Sequence, residues 1–190
     1  MTEQALISRI RSGDEQAFKE LVISKQTLVY NTVLGLLQNV EDAEDVTQEV
    51  FIKVFESIHQ FKGESALSTW IYRVAVTTAL EFIRAKKRKK RFGFMQPILG
   101  GEDETTIEIP DFHHPGVSLD NKEKAALLFA SIKKLPDNQQ VAFVLNKLEG
   151  LSYKEIAEIM KTSISAVESL LHRAKTNLKE ILKNLYNLNE

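Results

Sequence analysis

One stretch of the chain decides what kind of fold is open to it. Between residues 93 and 121 lie Gly93, Pro97, Gly100, Gly101, Pro110, Pro115 and Gly116, out of eight glycines and four prolines in 190 residues. Glycine loses the most backbone freedom in a helix, and proline lacks the donor a helix needs. No helix continues through such a segment. Structureless loops longer than ~15 residues are uncommon inside one compact domain. The segment therefore reads as a linker between two domains, and its 29 residues could span up to roughly 100 Å at ~3.4 Å per residue.

Charge follows the same division. Residues 1–91 hold 14 Lys/Arg against 12 Asp/Glu, residues 92–121 hold none against six, and residues 122–190 hold 11 against eight. The net charge of −1 thus hides two mildly basic blocks and an acidic tether. Such a tether can lie against the basic faces it joins, which predicts poor DNA binding by the chain alone. With 43% apolar and 27% charged residues, the chain can bury a core and present a charged surface. It has no cysteine, which excludes disulfides and thiolate metal sites and suits a reducing cytosol. No apolar run approaches the ~18 residues of a membrane span. The start lacks the basic-then-apolar pattern of a secretory signal.

Helical periodicity fills both blocks. Ala43, Val46, Val50, Phe51, Val54, Phe55 and Ile58 step by three and four along one stripe, while Asp42, Asp45, Gln48 and Glu49 lie opposite. The acids crowd the first turns, where the helix dipole favours them. Phe18, Leu21, Val22, Leu28 and the run 33–37 predict an earlier long helix. After a loop at 61–65, Ser65 or Ser68 can cap a helix carrying Trp70, Ile71, Val74, Ala75, Thr78 and Phe82 inward. It ends in Arg84–Arg91, where seven of eight residues are basic. One or two cations would satisfy the helix dipole. Seven repel one another and call for an anion such as phosphate.

Past the linker, residues 122–147 predict one or two helices, broken near Leu135-Pro136, with Pro136 in a first turn. Ser152 and Glu155 form the S-x-x-E capping pattern of a short helix with Ile156, Ala157 and Met160 inward. Residues 161–163 make a tight turn. A second helix then buries Val167, Leu170, Leu171, Ala174 and Leu178 and turns Glu168, Ser169, His172, Arg173, Lys175 and Thr176 outward. Helix, short turn and helix is the unit that lays its second member in a DNA major groove. On pattern alone it also fits an ordinary helical hairpin, or a stand-alone regulator. The chain shows no Walker loop, dinucleotide fingerprint, zinc-protease or nucleophile-elbow motif. His113 and His114 are adjacent and cannot share an ion from one helix face. The expectation is an all-α binding protein, not an enzyme, with no cofactor and no metal.

Three segments together resemble the sigma-70-type factors of bacterial RNA polymerase, in the short extracytoplasmic-function group. Asp42–Phe51 (DAEDVTQEVF) resembles that group's core-polymerase-binding segment. Phe61–Ala75 (FKGESALSTWIYRVA) resembles its promoter-melting segment. Leu135-Pro136 followed by Glu149–Ala157 (EGLSYKEIA) resembles its C-terminal helix-turn-helix domain. Their order covers essentially the whole chain.

The resemblance implies a helical-bundle domain at 1–92, a flexible acidic linker at 93–121 and a helix-turn-helix domain at 122–190. It implies that Asp42, Asp45, Gln48 and Glu49 dock on core RNA polymerase, whose clamp and flap regions would hold the two domains. Minus-ten DNA would be held by Phe61, Lys62, Gly63, Glu64, Ser65, Trp70, Arg73, Thr77, Arg84, Lys86, Lys87 and Arg88. The minus-thirty-five element would be read by Glu168, Ser169, His172, Arg173 and Lys175. The family also implies cytoplasmic action, promoter DNA as ligand and an anti-sigma factor, often membrane-anchored, while this chain itself inserts in no membrane. The sequence departs from the usual pattern at Thr77 for Asn, at Glu81 for Asp, at Glu168 and Leu170 where bases are common, and at Lys161 for a turn glycine. A positive φ at Lys161 would cost roughly 1 kcal/mol.

Overall fold

The computed structural model describes residues 2–93 and 122–187, and the expected linker lies almost wholly outside the described residues. Among the described residues the elements are all helical. They are α1 (Glu3–Arg11), α2 (Glu15–Leu37), α3 (Val40–Ser57), a 3-10 turn (Ile58–Gln60), α4 (Leu67–Gly93), α5 (Lys122–Lys133), α6 (Asp137–Lys147), α7 (Tyr153–Met160) and α8 (Ile164–Asn187).

In the N-terminal domain α2, α3 and α4 pack on one another and α1 closes against α2. Only Gln38 and Asn39 separate α2 from α3, so the two helices run antiparallel. Gln38 takes the left-handed conformation at φ 56° and donates to the Leu34 carbonyl, and Asn39 caps α3 by accepting from the Asp42 amide. The α3 stripe Ala43, Val46, Val50, Phe51 and Val54 is buried as its periodicity requires. Phe55 departs from that reading. It is 48% exposed at the rim of the α2–α3 contact, edge-on to Phe18 with centroids 4.9 Å apart.

The start of α4 corrects a second expectation. Ser68 is the second residue of the helix rather than its cap. The Leu67 amide instead donates to Glu3 Oε1 at 3.0 Å, a carboxylate brought by α1 to the positive end of the helix dipole. Leu67 and Ile71 lie at 1% and 0% exposure, and burial of such side chains is worth roughly 1.5–3 kcal/mol each.

In the C-terminal domain α6 and α7 pack on α8, with α5 against α8. Pro136 occupies the N-cap position of α6, one residue earlier than expected, and its carbonyl accepts from Gln139 and Gln140. The capping box at α7 is complete: Glu155 N–H donates to Ser152 Oγ at 3.3 Å, and Ser152 N–H donates to Glu155 Oε2 at 2.8 Å. The Ser152 hydroxyl, donating to Glu155 Oε2 at 2.6 Å, and after it the Ser152 amide hold the Glu155 carboxyl below its ordinary range. Lys161 ends α7 in the left-handed region at φ 51°. The two domains also meet, α4 against α7 and α2 against α6.

Candidate functional site

Along α3, Asp42, Asp45 and Glu49 recur at steps of three and four and share one stripe beside α4. Two of them are engaged within the chain, where a partner-facing surface predicts free acids. Lys86 Nζ lies 2.6 Å from Asp42 Oδ2, and Asp42 is the less exposed partner. Lys53 Nζ lies 3.0 Å from Glu49 Oε1 and 2.8 Å from Glu81 Oε2. Those carboxylates, Glu81 foremost, raise the affinity of Lys53 for its proton. Asp45 and Gln48 are exposed. Gln48 also lines an open cleft of about 550 Å³ with Glu44 and Thr47 of α3 and Gln26, Tyr30 and Asn31 of α2. Exposed ion pairs are worth about 0–1 kcal/mol, so a basic partner surface can displace them. Ile52, 58% exposed, continues this face in apolar form. Residue periodicity does not single it out, because it falls outside the buried stripe.

The loop before α4 turns at Gly63, whose φ of 75° suits glycine. Lys62, Gly63 and Glu64 are exposed and Ser65 is half-buried. Phe61 is not open to a base: it is 6% exposed, its ring 5.5 Å from that of Trp70. Arg11 pins the same corner by donating to the carbonyls of Ile58 and Phe61. On α4 four cations, Arg73, Arg84, Lys86 and Lys87, are engaged within the chain. Arg73 donates to two carbonyls of α7, from Nη2 to Glu158 at 2.7 Å and from Nε to Ile159 at 3.3 Å. Arg84 Nη2 and Lys87 Nζ lie 3.4 and 3.8 Å from the carboxylate of Asp137 on α6. Lys86 reaches Asp42 while standing 5.8 Å from the Phe82 ring centroid. Thr77 and Arg88 are exposed, and the side chains of Lys90 and Arg91 lie outside the described set.

The second helix of the helix-turn-helix presents a different picture. Val167, Leu171, Ala174 and Leu178 are buried, Leu170 is half-buried, and Glu168, Ser169, His172, Arg173, Lys175 and Thr176 are exposed. Among the described residues Arg173 Nε bonds its own helix alone, at Ser169 O, 3.3 Å away. Ser163 Oγ accepts from the Ala166 amide and starts the helix. Ile164, the first residue of α8, is 52% exposed. An isolated apolar residue in a first turn carries no periodic signal, so nothing in the sequence pattern marks it.

The assembled geometry is therefore an acidic stripe, a cationic helix beside it and a separate helix-turn-helix. The chain has known relatives in sequence and in fold. Residues 21–89 match the family model for sigma-70 region 2, and residues 125–178 match that for sigma-70 region 4. The chain is 37% identical to the ECF RNA polymerase sigma-E factor of Haemophilus influenzae, covering 97% of each chain. It is 34% identical to the sigma-E factor of Escherichia coli K12, covering 92% of this chain and 91% of that one. Two solved structures share the fold at a TM-score of 0.66. One is the sigma factor RpoE with the anti-sigma factor NepR from Bartonella quintana (21% identity, 87% of this chain and 96% of that chain). The other is CnrH with the cytosolic domain of CnrY (19% identity, 96% and 97%). The chain belongs to the extracytoplasmic-function group of sigma-70-type sigma factors, which bind core RNA polymerase and promoter DNA to begin transcription.

Proposed function

We propose that the exposed stripe of α3, centred on Asp45, Gln48 and Glu49 with Asp42 at its α4 edge, docks on a basic surface of the polymerase clamp. The apolar Ile52 beside it adds contact area. Lys62–Ser65 and the exposed face of α4 hold the minus-ten strand, with Arg73, Thr77, Arg84, Lys86, Lys87 and Arg88 toward its backbone and bases. Phe61 and Trp70 support that loop from beneath. On α8, Arg173 has the geometry to donate to a guanine or a phosphate, and Ser169, His172 and Lys175 flank it. Ile164 faces outward at the helix start, where base edges are read, and an apolar side chain there can contact a thymine methyl. Glu168 disfavours a phosphate at its own position.

Residues 1–92 and 122–190 act as the two DNA- and polymerase-binding domains, joined by the acidic 93–121. The chain works in the cytoplasm and is held in reserve by an anti-sigma factor, as the relatives solved with such partners suggest. None of the described helices is long and apolar enough to cross a membrane. The observation that carries the reading is the acidic stripe lying along the same edge as the cationic helix, ion pair by ion pair. The test adds the purified chain to core polymerase and a fragment library of the source genome. Promoter-specific transcripts that depend on the chain are expected. Duplex binding by the chain alone, with no transcripts from core, would instead make it a stand-alone helix-turn-helix regulator.

A further inference from the structure

The loop before α4 begins and ends at helix termini, and both termini are met from α1. The closing carbonyls of the 3-10 turn carry partial negative charge, and the opening amides of α4 carry partial positive charge. Arg11, in the last turn of α1, donates from Nε and Nη2 to the Ile58 carbonyl, each at 3.4 Å, and from Nη2 to the Phe61 carbonyl. Glu3, in the first turn of α1, accepts the Leu67 amide at 3.0 Å. Between them Ile7 and Ile10 are 2% and 3% exposed, so α1 is seated in the core. Arg9 ties it to α2 through Asp14 at 2.8 Å and Glu20 at 3.4 Å. Among the described residues no hydrogen bond reaches Lys62, Gly63, Glu64 or Ser65. The loop is held at its ends and open in its middle.

We infer that α1 is a strap that sets the shape of the minus-ten loop, with Glu3 and Arg11 as positioning residues that hold its two ends without touching DNA. This rests on the proposed role of Lys62–Ser65 in holding the minus-ten strand. Length supplies the reason. Glu3 and Arg11 stand eight residues apart on one helix, a rise of roughly 12 Å at ~1.5 Å per residue. The six steps from Phe61 to Leu67 could stretch to roughly 20 Å at ~3.4 Å per residue. A rigid rod shorter than the free span keeps the loop arched, and Gly63 at φ 75° supplies the bend. Its exposed groups are then ready for a base, with no internal bond for that base to displace. A loop shaped in advance is spared the ordering entropy that a free one loses on binding. The charges favour a strap over a direct hold on the strand. Glu3 is an exposed acid, which repels phosphate, and the Arg11 guanidinium is already shared between two carbonyls.

The test uses holoenzyme assembled from core RNA polymerase and the full-length chain, with a fork-junction DNA pool randomised across its single-stranded non-template end. Sequencing the bound fraction reads base preference position by position. The parent is expected to prefer one base strongly at one position. Glu3→Ala should lower that preference by about threefold or more, because the loop is no longer shaped in advance. The other positions and the affinity for core should stay as in the parent. Glu3→Gln, whose amide oxygen can still accept the Leu67 N–H, should restore most of the preference. Arg11→Lys should fail nearly as far as Arg11→Gln, because an ammonium lacks the fork that spans two carbonyls. Direct contact with phosphate predicts the reverse: loss of the Glu3 carboxylate would tighten binding at every position, and Arg11→Lys would bind as the parent does. Either result overturns the strap, as does a preference unchanged in both Glu3→Ala and Arg11→Gln. Circular dichroism checks folding; should Arg11→Gln unfold, Glu3→Ala with its Glu3→Gln control carries the test alone. A parent with no preference anywhere in the pool would sink the minus-ten role of the loop itself, and the strap with it.

Discussion

Arg73 and Arg173 are the same side chain on two helices assigned to DNA, and the structure treats them in opposite ways. Arg73 is spent on the carbonyl end of α7, a domain away. Arg173 bonds its own helix four residues back and faces solvent. The neighbours follow suit. Arg84 and Lys87 meet Asp137 and Lys86 meets Asp42, whereas His172 and Lys175 stand clear of any ion pair among the described residues. Two surfaces assigned to DNA are thus in different states of readiness. Charge alone does not decide which; the helix ends within reach do.

The comparison breaks most readily at the acidic stripe, which both helices need if polymerase is to bring them to a promoter. Asp45→Lys with Glu49→Lys should weaken binding to core enzyme by about 30-fold or more, roughly 2 kcal/mol, because like charges would then face each other across the interface. Fluorescence titration of core with the folded variant measures it, and an unchanged dissociation constant removes polymerase docking from α3.

The free helix should respond to single substitutions with a sequence signature. Arg173→Ala should cost about 1–3 kcal/mol and relax selectivity at one base pair if the contact is bidentate to guanine. Ile164→Ala should lose less, and only at a thymine. Profiling initiation over a randomised upstream element reads both; a uniform loss for Arg173→Ala would reassign it to the phosphate backbone.

The engaged helix should respond conditionally. Lys86→Gln/Lys87→Gln/Arg88→Gln should flatten the log–log salt dependence of open-complex formation by up to about 0.7 for each phosphate that these side chains neutralise. In the free chain, where Lys86 and Lys87 already face carboxylates, the same triple change should shift the slope less. A slope equal to the parent's in both settings would make the three residues bystanders.

The smallest effect concerns pH. Burial raises Glu149 from an ordinary value of 4.5 to about 7, partly offset by the hydrogen bond from Tyr72. Tyr72 on α4 and Glu155 on α7 stand in the same corner, and burial raises the tyrosine too. An acid whose value is raised where the two domains pack together binds its proton more tightly there than with the domains apart. Packing of the two domains is therefore most favourable below about 4.5, weakens as pH rises to about 7, and levels off above that, where Glu149 is ionised either way. Distances between spin labels placed at Lys19→Cys on α2 and Lys179→Cys on α8, both exposed in a chain without cysteine, should lengthen as pH rises across this range. Glu149→Gln should flatten the response, and a dependence that survives in Glu149→Gln would place the titrating group elsewhere.

Much of this is legible in the sequence, and for identifiable reasons. The capping box of α7, the buried stripe of α3 and the left-handed turn at Lys161 are local, encoded within a few residues of one another. So is the outward face of α8, since inward Val167, Leu171, Ala174 and Leu178 fix the opposite side by geometry. What stays hidden depends on residues far apart. The partner of the Leu67 amide is Glu3, 64 residues away, and the Leu36 carbonyl finds Gln140 across 104 residues. Periodicity says which face of a helix turns inward, but not that a cation on the outer face will meet another helix's carbonyls. Phe61 illustrates the same limit: a loop residue by pattern, it is buried because Trp70 lies one turn into the next helix.

The most direct test of the contact between the two domains follows the doubly labelled full-length chain, Lys19→Cys/Lys179→Cys, through a titration with core RNA polymerase. A narrow distance distribution in the free chain should give way to a longer one as the complex forms. A distribution that stays the same through saturation with core, while transcription proceeds, would contradict it.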